Sequence, residues 1–399
     1  MKTIAVIGLD GTGCPMPEAE PVLRQAAAIL ASPRLHELFS ASPLYREVKE
    51  RVQAVPTVEE TLAQVRRAPG AVAVLASGDP LFFGIGRRVA AEADGPVAIY
   101  PALSSIQQAF ARLGLAWDDA LLVSLHGGLL RDWGLADLPL LCEHHPKVAI
   151  LTGGENTAAA VLARLPPAAE AHVAEGLGGP GERVRSGPPA ALRKLRFREP
   201  NLVISLNPGP GGPVLGLREE DFAHARGLIT KDEVRAVVLH KLALPKRGVL
   251  WDVGAGSGSV SVEAKRLSPL LKVYAVEADP ARAAMAAANF ETFHAGGVRL
   301  IRGRAPEALA GLPAPDRVFV GGSGGSLDAI IGHVSRVMSQ GLLVLSLVTL
   351  EGLAAADQAL SREGFRTETA AVSISRAEPV GDKRYLKAQN TVFVVRGVR

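Results

Sequence analysis

The run Val249-Leu250-Trp251-Asp252-Val253-Gly254-Ala255-Gly256-Ser257-Gly258-Ser259 constrains the fold more than any other stretch of the chain. Its apolar part, from Gly248 to Val253, reads as a buried parallel strand. The glycines then let the backbone turn tightly against a ligand, and the following helix points its N-terminus at that ligand. About twenty residues on, Val276-Glu277 closes a second strand and sets a carboxylate where it accepts from both hydroxyls of a ribose. The spacing separates two cofactors. A dinucleotide fingerprint is Gly-x-Gly-x-x-Gly, whereas Asp252-x-Gly254-x-Gly256-x-Gly258 brings its third glycine one residue early. That form suits S-adenosyl-L-methionine, which has no pyrophosphate to cradle.

A chain of 399 residues is long enough for about two or three domains, each with its own core. Hydrophobic residues at 48% and charged residues at 21% describe a globular protein and exclude a disordered one. Aromatics make up only 5%, so single-stranded nucleic acid would find few stacking platforms. The net charge of +4 is spread without a basic block and suits a small polyanion as well as RNA. Two cysteines, Cys14 and Cys142, build neither a disulfide framework nor a four-ligand metal site and imply a reducing compartment. The stretch Met1 to Gly8 is too short for a signal peptide, and no run approaches the roughly eighteen apolar residues of a membrane span. A cytoplasmic protein with no membrane partner is expected.

The clearest seam is Asn207-Pro208-Gly209-Pro210-Gly211-Gly212-Pro213, after the strand-like run Asn201 to Leu206. It predicts domains at 1–206 and 223–399 joined by a linker over 207–222. Past it, Thr230 reads as a helix N-cap with Glu233 in the capping-box position, and the helix runs to about Leu242. Strands follow at Val249–Val253, Lys272–Val276, Val298–Ile301, Arg317–Val320 and Gly341–Leu347, with helices from Ser259, over Pro280–Phe293 and over Ser326–Met338. This alternation predicts a doubly wound parallel sheet. Arg366–Ser375 and Asn390–Val395, with no long helix between them, predict a terminal antiparallel pair.

The first half also alternates strand and helix. Thr3–Ile7 leads into Gly8-Leu9-Asp10-Gly11-Thr12-Gly13, but Cys14-Pro15-Met16-Pro17 bars a helix from starting there, so this is not a dinucleotide turn. Ala71–Leu75 ends in Ser77-Gly78-Asp79-Pro80, and Ser104-Ser105-Ile106-Gln107 carries a second capping box. Ser124-Leu125-His126-Gly127-Gly128 and Leu151-Thr152-Gly153-Gly154-Glu155-Asn156-Thr157 again put small polar residues at strand ends, where open α/β sheets bind ligands.

In this order Val6–Gly11, Ser77–Pro80, Ser104-Ser105, Ser124–Gly127 and Asn201–Val203 resemble the tetrapyrrole methylases of cobalamin biosynthesis. Thr230, the Asp252–Gly258 loop, Glu277, Gly303-Arg304-Ala305 and Gly321–Gly325 are similar to the small class I methyltransferase that partners them. One departure is visible: Gly128 stands where relatives often have arginine. The resemblance covers essentially the whole chain. It implies an α/β protein with an N-terminal tetrapyrrole-methylase fold of two α/β subdomains and a C-terminal Rossmann-like class I sheet. It further implies methylation of a precorrin at carbon 5 by the first module, and decarboxylation of an acetate with methylation at carbon 15 by the second. Two S-adenosyl-L-methionine sites and a homo-oligomer are expected, with no metal site. Cofactor residues carried over are Gly8, Asp79, Ser104 and Ser105 in the first half. In the second they are Thr230, Gly254, Ala255, Gly256, Ser257, Gly258, Glu277 and Ala305. Thr230 serves equally as a plain cap, and Asp79-Pro80 as an ordinary turn. Substrate carboxylates call for basic partners; Arg376, Lys383, Arg384 and Lys387 are the candidates, along with His126. No catalytic acid is assigned. The alternatives are the counterpart acting on a cobalt-holding substrate and, further off, an RNA methyltransferase. Against the latter, Val320-Gly321-Gly322-Ser323-Gly324-Gly325 lacks the Asn/Asp-Pro-Pro-aromatic group that holds a flipped base.

Overall fold

In the computed structural model, which describes residues 3–126, 133–209, 212–225 and 229–399, the opening apolar run forms β1 (Ile4–Leu9), buried along its whole length. With β2 (Ala28–Ala31), β3 (Val52–Ala54), β4 (Val72–Ser77) and β5 (Val97–Tyr100) it makes a parallel sheet of order β3-β2-β4-β1-β5. Its central strands carry continuous apolar runs because both faces are covered, Ile7 and Leu75 packing in one core and Val6 and Val74 in another. A second sheet follows, built from β6 (Leu121–Ser124), β7 (Lys147–Leu151), β8 (Glu170–Glu175), β9 (Arg183–Gly187) and β10 (Asn201–Leu206) in the order β6-β7-β10-β8-β9. There β6 pairs with β7 in parallel, and the other neighbouring pairs are antiparallel. These are the two expected α/β subdomains. As the prolines require, no α-helix starts on the first glycine loop; a 3-10 turn at Pro17–Ala19 precedes the helix Glu20–Gln25.

The C-terminal sheet contains β11 (Gly248–Val253), β12 (Leu271–Glu277), β13 (Arg299–Arg302), β14 (Arg317–Val320), β15 (Leu342–Leu347), β16 (Arg366–Val372) and β19 (Val392–Val398), with β17 (Ser375–Val380) and β18 (Lys383–Ala388) forming a separate hairpin. The order is β13-β12-β11-β14-β15-β19-β16, parallel as far as β15 and antiparallel on both sides of β19. The helices Ser259–Leu267, Pro280–Thr292 and Leu327–Val337 lie where the alternation placed them. One core packs Leu250, Val273 and Phe290, and the other packs Trp251, Val276 and Ile331. Among the described residues no helix is long and apolar enough to cross a membrane.

The chain divides into two compact units, residues 1–131 with 145–209 and residues 132–144 with 210–399. The segment 132–144, which the sequence grouped with the first 206 residues, therefore belongs to the second unit. Two ion pairs tie it there: Asp137 meets the buried Lys265 at 2.9 Å and Glu143 meets the buried Arg266 at 2.7 Å. Nor is 212–222 a loose linker. The Gly216 and Leu217 N–H groups both donate to Glu263 Oε1 at 2.8 Å. Pro210-Gly211, Leu228 and the Gly127-Gly128 pair, including the Gly128 departure, lie outside the described residues.

Two capping expectations part ways. Ser104 and Gln107 form the reciprocal box at the start of the helix Ser105–Leu113. By contrast the helix Asp232–Leu242 begins after Lys231 with no side-chain cap, so Thr230 is not its N-cap. The Thr230 carbonyl is instead taken by Arg235 Nη1 at 3.1 Å, and Asp232 and Glu233 in the first turn offset the exposed N–H groups.

Candidate functional site

At the C-terminal ends of β11, β12, β13, β14 and β15 the second unit opens a cavity of about 810 Å³. Its floor is the glycine loop, where Gly254, Gly256 and Gly258 all have left-handed φ values of +71°, +58° and +75°. Gly254 is constrained twice over, since a Cβ there would stand 2.2 Å from the Gly322 carbonyl oxygen. The loop after β11 and the loop after β14 thus touch backbone to backbone, and only glycine permits it.

Glu277, at the end of β12, is buried and lines the cavity. Its Oε2 accepts from the Gly256 N–H and its Oε1 from the Asp279 N–H, both at 2.8 Å. Each carboxylate oxygen has two lone pairs, so one acceptor position on each is left for a ligand diol. Asn289, buried on the helix Pro280–Thr292, supports the loop from behind. Its Nδ2 donates to the Ser257 carbonyl at 2.8 Å and to the Ala223 carbonyl at 2.9 Å, and its Oδ1 accepts from the Ala223 N–H at 2.8 Å. Asp252 does not line the cavity. Its Oδ2 accepts from the Ser261 N–H and hydroxyl at 3.1 and 2.6 Å, which ties β11 to the next helix, while Oδ1 has no partner among the described residues. Burial, opposed by the Ser261 bonds and reinforced by the Glu277 charge, pushes the Asp252 carboxyl up to about 6.

The cavity brings together Thr230, Gly254, Ala255, Gly256, Ser257, Glu277, Ala305 and Lys387 among the residues singled out from sequence. Gly258 sits behind the loop, where a Cβ would lie 2.5 Å from the Phe290 ring. Of the four basic candidates only Lys387 reaches the cavity, paired with Glu378 at 3.0 Å. Arg376 is committed elsewhere, to Glu219 and Glu233 at 2.6 Å each. Lys383 and Arg384 stand exposed at the start of β18, away from the lining. Lys231 and Asn289 carry no site signal in the sequence, and of the added residues Arg304 alone has a local one, standing next to Ala305 in the strand-end loop.

In the first unit Gly8, Gly78 and Ser104 converge. A Cβ on Gly8 would lie 1.9 Å from the Gly78 carbonyl oxygen, and one on Gly78 would lie 2.9 Å from the Ser104 Cα. Asp79 Oδ1 accepts from the Leu81 N–H at 2.8 Å, closing a turn. Ser104 is buried in its capping box and Ser105 opens the helix. His126 lies apart from them, after β6, its ring against Gly153.

A parallel sheet of this order, with a left-handed glycine loop and a carboxylate at the next strand end, defines an S-adenosylmethionine-dependent methyltransferase of class I, carried on one chain with a second α/β unit. The family profile described as Precorrin methyltransferase domain matches residues 220–399, and that of Tetrapyrrole (Corrin/Porphyrin) Methylases matches residues 16–192. A Sinorhizobium sp protein named precorrin-6Y C(5,15)-methyltransferase (decarboxylating) is 34% identical over 392 residues, covering 95% of this chain and 92% of its own length. A Pyrobaculum calidifontis protein named probable cobalt-precorrin-6B C(15)-methyltransferase (decarboxylating) is 43% identical over 183 residues, 45% of this chain and 94% of its own. The crystal structure of a precorrin-6y C5,15-methyltransferase from Geobacter metallireducens is 41% identical over 47% of this chain and 97% of its own, with a TM-score of 0.45. The chain belongs to the precorrin-6Y C5,15-methyltransferase (decarboxylating) family of cobalamin biosynthesis.

Proposed function

We propose that each unit holds one S-adenosyl-L-methionine, that the first unit methylates a precorrin at carbon 5, and that the second decarboxylates an acetate side chain and methylates carbon 15. When bound, the cofactor supplies an electrophilic methyl group on a sulfonium. In the second unit Gly254, Ala255, Gly256 and Ser257 cradle it, Glu277 takes the ribose hydroxyls, and Ala305 with the Ile229–Lys231 stretch closes its sides. In the first unit Gly8, Asp79, Ser104 and Ser105 hold it at the convergence of strand ends, and His126 faces the substrate. The observation that carries the reading is Glu277, whose two oxygens are fixed by the N–H groups of Gly256 and Asp279 so that the diol acceptors are in place before a ligand arrives.

Transfer to an electron-rich ring carbon is an in-line displacement governed by alignment and exclusion of water, and it requires no strong base. Decarboxylation leaves its electron pair on the macrocycle, which serves as its own sink, so the protein supplies position and carboxylate contacts, Lys387 among them. Assignment of carbon 15 to the second unit rests on the likeness of its glycine loop and Glu277 to a class I methyltransferase; a relative named for carbon 15 and decarboxylation alone aligns with 183 residues of this chain, 94% of its own length. That relative's name also motivates a second reading, in which the substrate already holds cobalt. In either reading the chain acts in the cytoplasm as a homo-oligomer, and its mass in solution checks the latter. The test is incubation of pure protein with the metal-free precorrin or its cobalt form, with labelled cofactor, followed by mass spectrometry. Gain of two methyl groups with loss of carbon dioxide is expected. Calorimetric titration with S-adenosylhomocysteine is expected to give two sites per chain, and a value of one in cofactor-free, active protein removes one of them.

A further inference from the structure

Four cationic side chains line the cavity of the second unit: Lys231, Arg282, Arg304 and Lys387. Three are engaged by acids. Lys231 Nζ lies 2.5 Å from Glu219 Oε2, Lys387 Nζ lies 3.0 Å from Glu378 Oε1, and Arg282 Nε lies 3.8 and 3.9 Å from Glu277 and Asp279. The Arg304 guanidinium has no hydrogen-bond or ion-pair partner among the described residues. It leaves the loop after β13, one residue before Ala305, and reaches the loop after β14, with Nη2 3.5 Å from where a Cβ on Gly324 would stand. There the cofactor candidates Gly254–Ser257, Glu277 and Ala305 share the cavity with Gly321–Gly324, Ser346 and Val348.

An unpaired arginine in a cleft is a planar, two-pronged donor that matches a carboxylate. We propose that Arg304 is the substrate-carboxylate clamp of the carbon 15 site and selects a polycarboxylate macrocycle there, an inference that rests on the functional reading given above. Its target is a spectator side chain and not the acetate that is lost. In decarboxylation the carbon–carbon bond breaks, its electron pair passes into the ring and the carboxylate surrenders its charge as carbon dioxide. An ion pair on that carboxylate would stabilise the charge that has to leave, and so would oppose the step. A clamp on a neighbouring carboxylate aligns the ring without that penalty.

The full chain with Arg304→Ala, Arg304→Gln or Arg304→Lys is assayed for carbon 15 methylation by mass spectrometry and for S-adenosylhomocysteine affinity by calorimetry. Arg304→Ala is expected to raise KM for the precorrin about ten- to hundredfold, the range for losing a charge-assisted pair. The kcat is expected to change far less, Arg304→Lys to recover part of the loss, and cofactor affinity to stay at the wild-type value. A precorrin with its propionates esterified should bind wild type and Arg304→Ala alike. An unchanged KM overturns the proposal. So does weakened S-adenosylhomocysteine binding with unchanged KM, which would hand Arg304 to the cofactor's own carboxylate. If Glu277→Ala leaves both cofactor affinity and carbon 15 methylation intact, the cavity is not the methylation site and the reading beneath the proposal falls with it.

Discussion

Replacing Glu263 by alanine tests whether its buried pair with Arg235 holds Thr230, which lines the cavity, in place. Glu263 and Arg235 are both buried, with Arg235 Nε donating to Glu263 Oε2 at 2.7 Å. The other Glu263 oxygen accepts from the Gly216 and Leu217 N–H groups. Arg235 also holds the Leu217 and Thr230 carbonyls, contacts Asp232 at 3.2 Å, and lies 5.1 Å above the Phe222 ring. Glu263→Ala therefore removes the buried carboxylate that Arg235 pairs with and leaves two N–H groups without their acceptor at once. Breaking a buried pair from one side costs about 3–5 kcal/mol. For a unit of this size, at roughly 2–4 °C per kcal/mol, its Tm should fall by about 6–20 °C. Scanning calorimetry of the full chain gives the shift. The companion is Glu263→Leu with Arg235→Met, which removes both charges and should recover most of the Tm. It leaves the Thr230 carbonyl and the 216–217 amides unheld, so S-adenosylhomocysteine affinity should remain below wild type when stability has returned. A shift under about 2 °C for Glu263→Ala, or a double variant no more stable than the single, would refute the reasoning.

Glu277→Ala should weaken S-adenosylhomocysteine at the second unit by some thirty- to a thousandfold, about 2–4 kcal/mol for two charge-assisted bonds, and leave carbon 5 methylation in place; calorimetry on the two sites decides it, and normal affinity at both returns Glu277 to a purely structural role. Asp252 gives a pH signature. Its folded carboxyl sits at about 6, above the ordinary 3.8, so the folded state holds the proton more tightly and the stability this supplies is lost as pH rises from about 4 to 6. Denaturant titrations at pH 4 and 7 should show Asp252→Asn gaining about 3 kcal/mol on wild type across that window, and parallel curves would contradict it. Glu143 works in the opposite sense. Burial raises its carboxyl, but His294 and Arg266 outweigh this and hold it at about 2, so its contribution is present above about 4.5 and lost as pH falls toward 2; Glu143→Gln should flatten the acid limb of the stability curve, and an unaltered limb counts against the assignment.

The second unit was legible because its signals are local. Strand and helix alternate in blocks with buried faces, so the periodicity places β11 to β15, and three alternate glycines announce the loop by themselves. The hairpin β17–β18 was not legible. Lys383-Arg384-Tyr385-Leu386-Lys387-Ala388 is exposed at every position and shows no apolar face to count. Thr230 fits a cap motif perfectly well, yet Arg235, itself held by Glu263 from another helix, takes its carbonyl and the helix starts later. Arg376 looked free for substrate because Glu219 and Glu233 lie 143 or more positions away in sequence. In the first unit the capping box of Ser104 could be read, being contained within four residues. The approach of Gly8 to Gly78 could not, since it depends on how β1 and β4 pair.

The path of the chain through the two units sets an order of events during synthesis. Glu143 precedes Arg266 by 123 positions, so at roughly 5–20 residues per second it leaves the ribosome about 6–25 s earlier. Throughout that interval the strands on either side of residues 132–144 are available to pair with each other, while Asp137 and Glu143 have no cations to meet. Conversely, Lys265 and Arg266 emerge into a waiting acceptor that was made long before them. Dividing the gene at the Pro/Gly seam would break this arrangement, because the fragment beginning there would carry two buried cations whose counter-charges had been left on the other polypeptide.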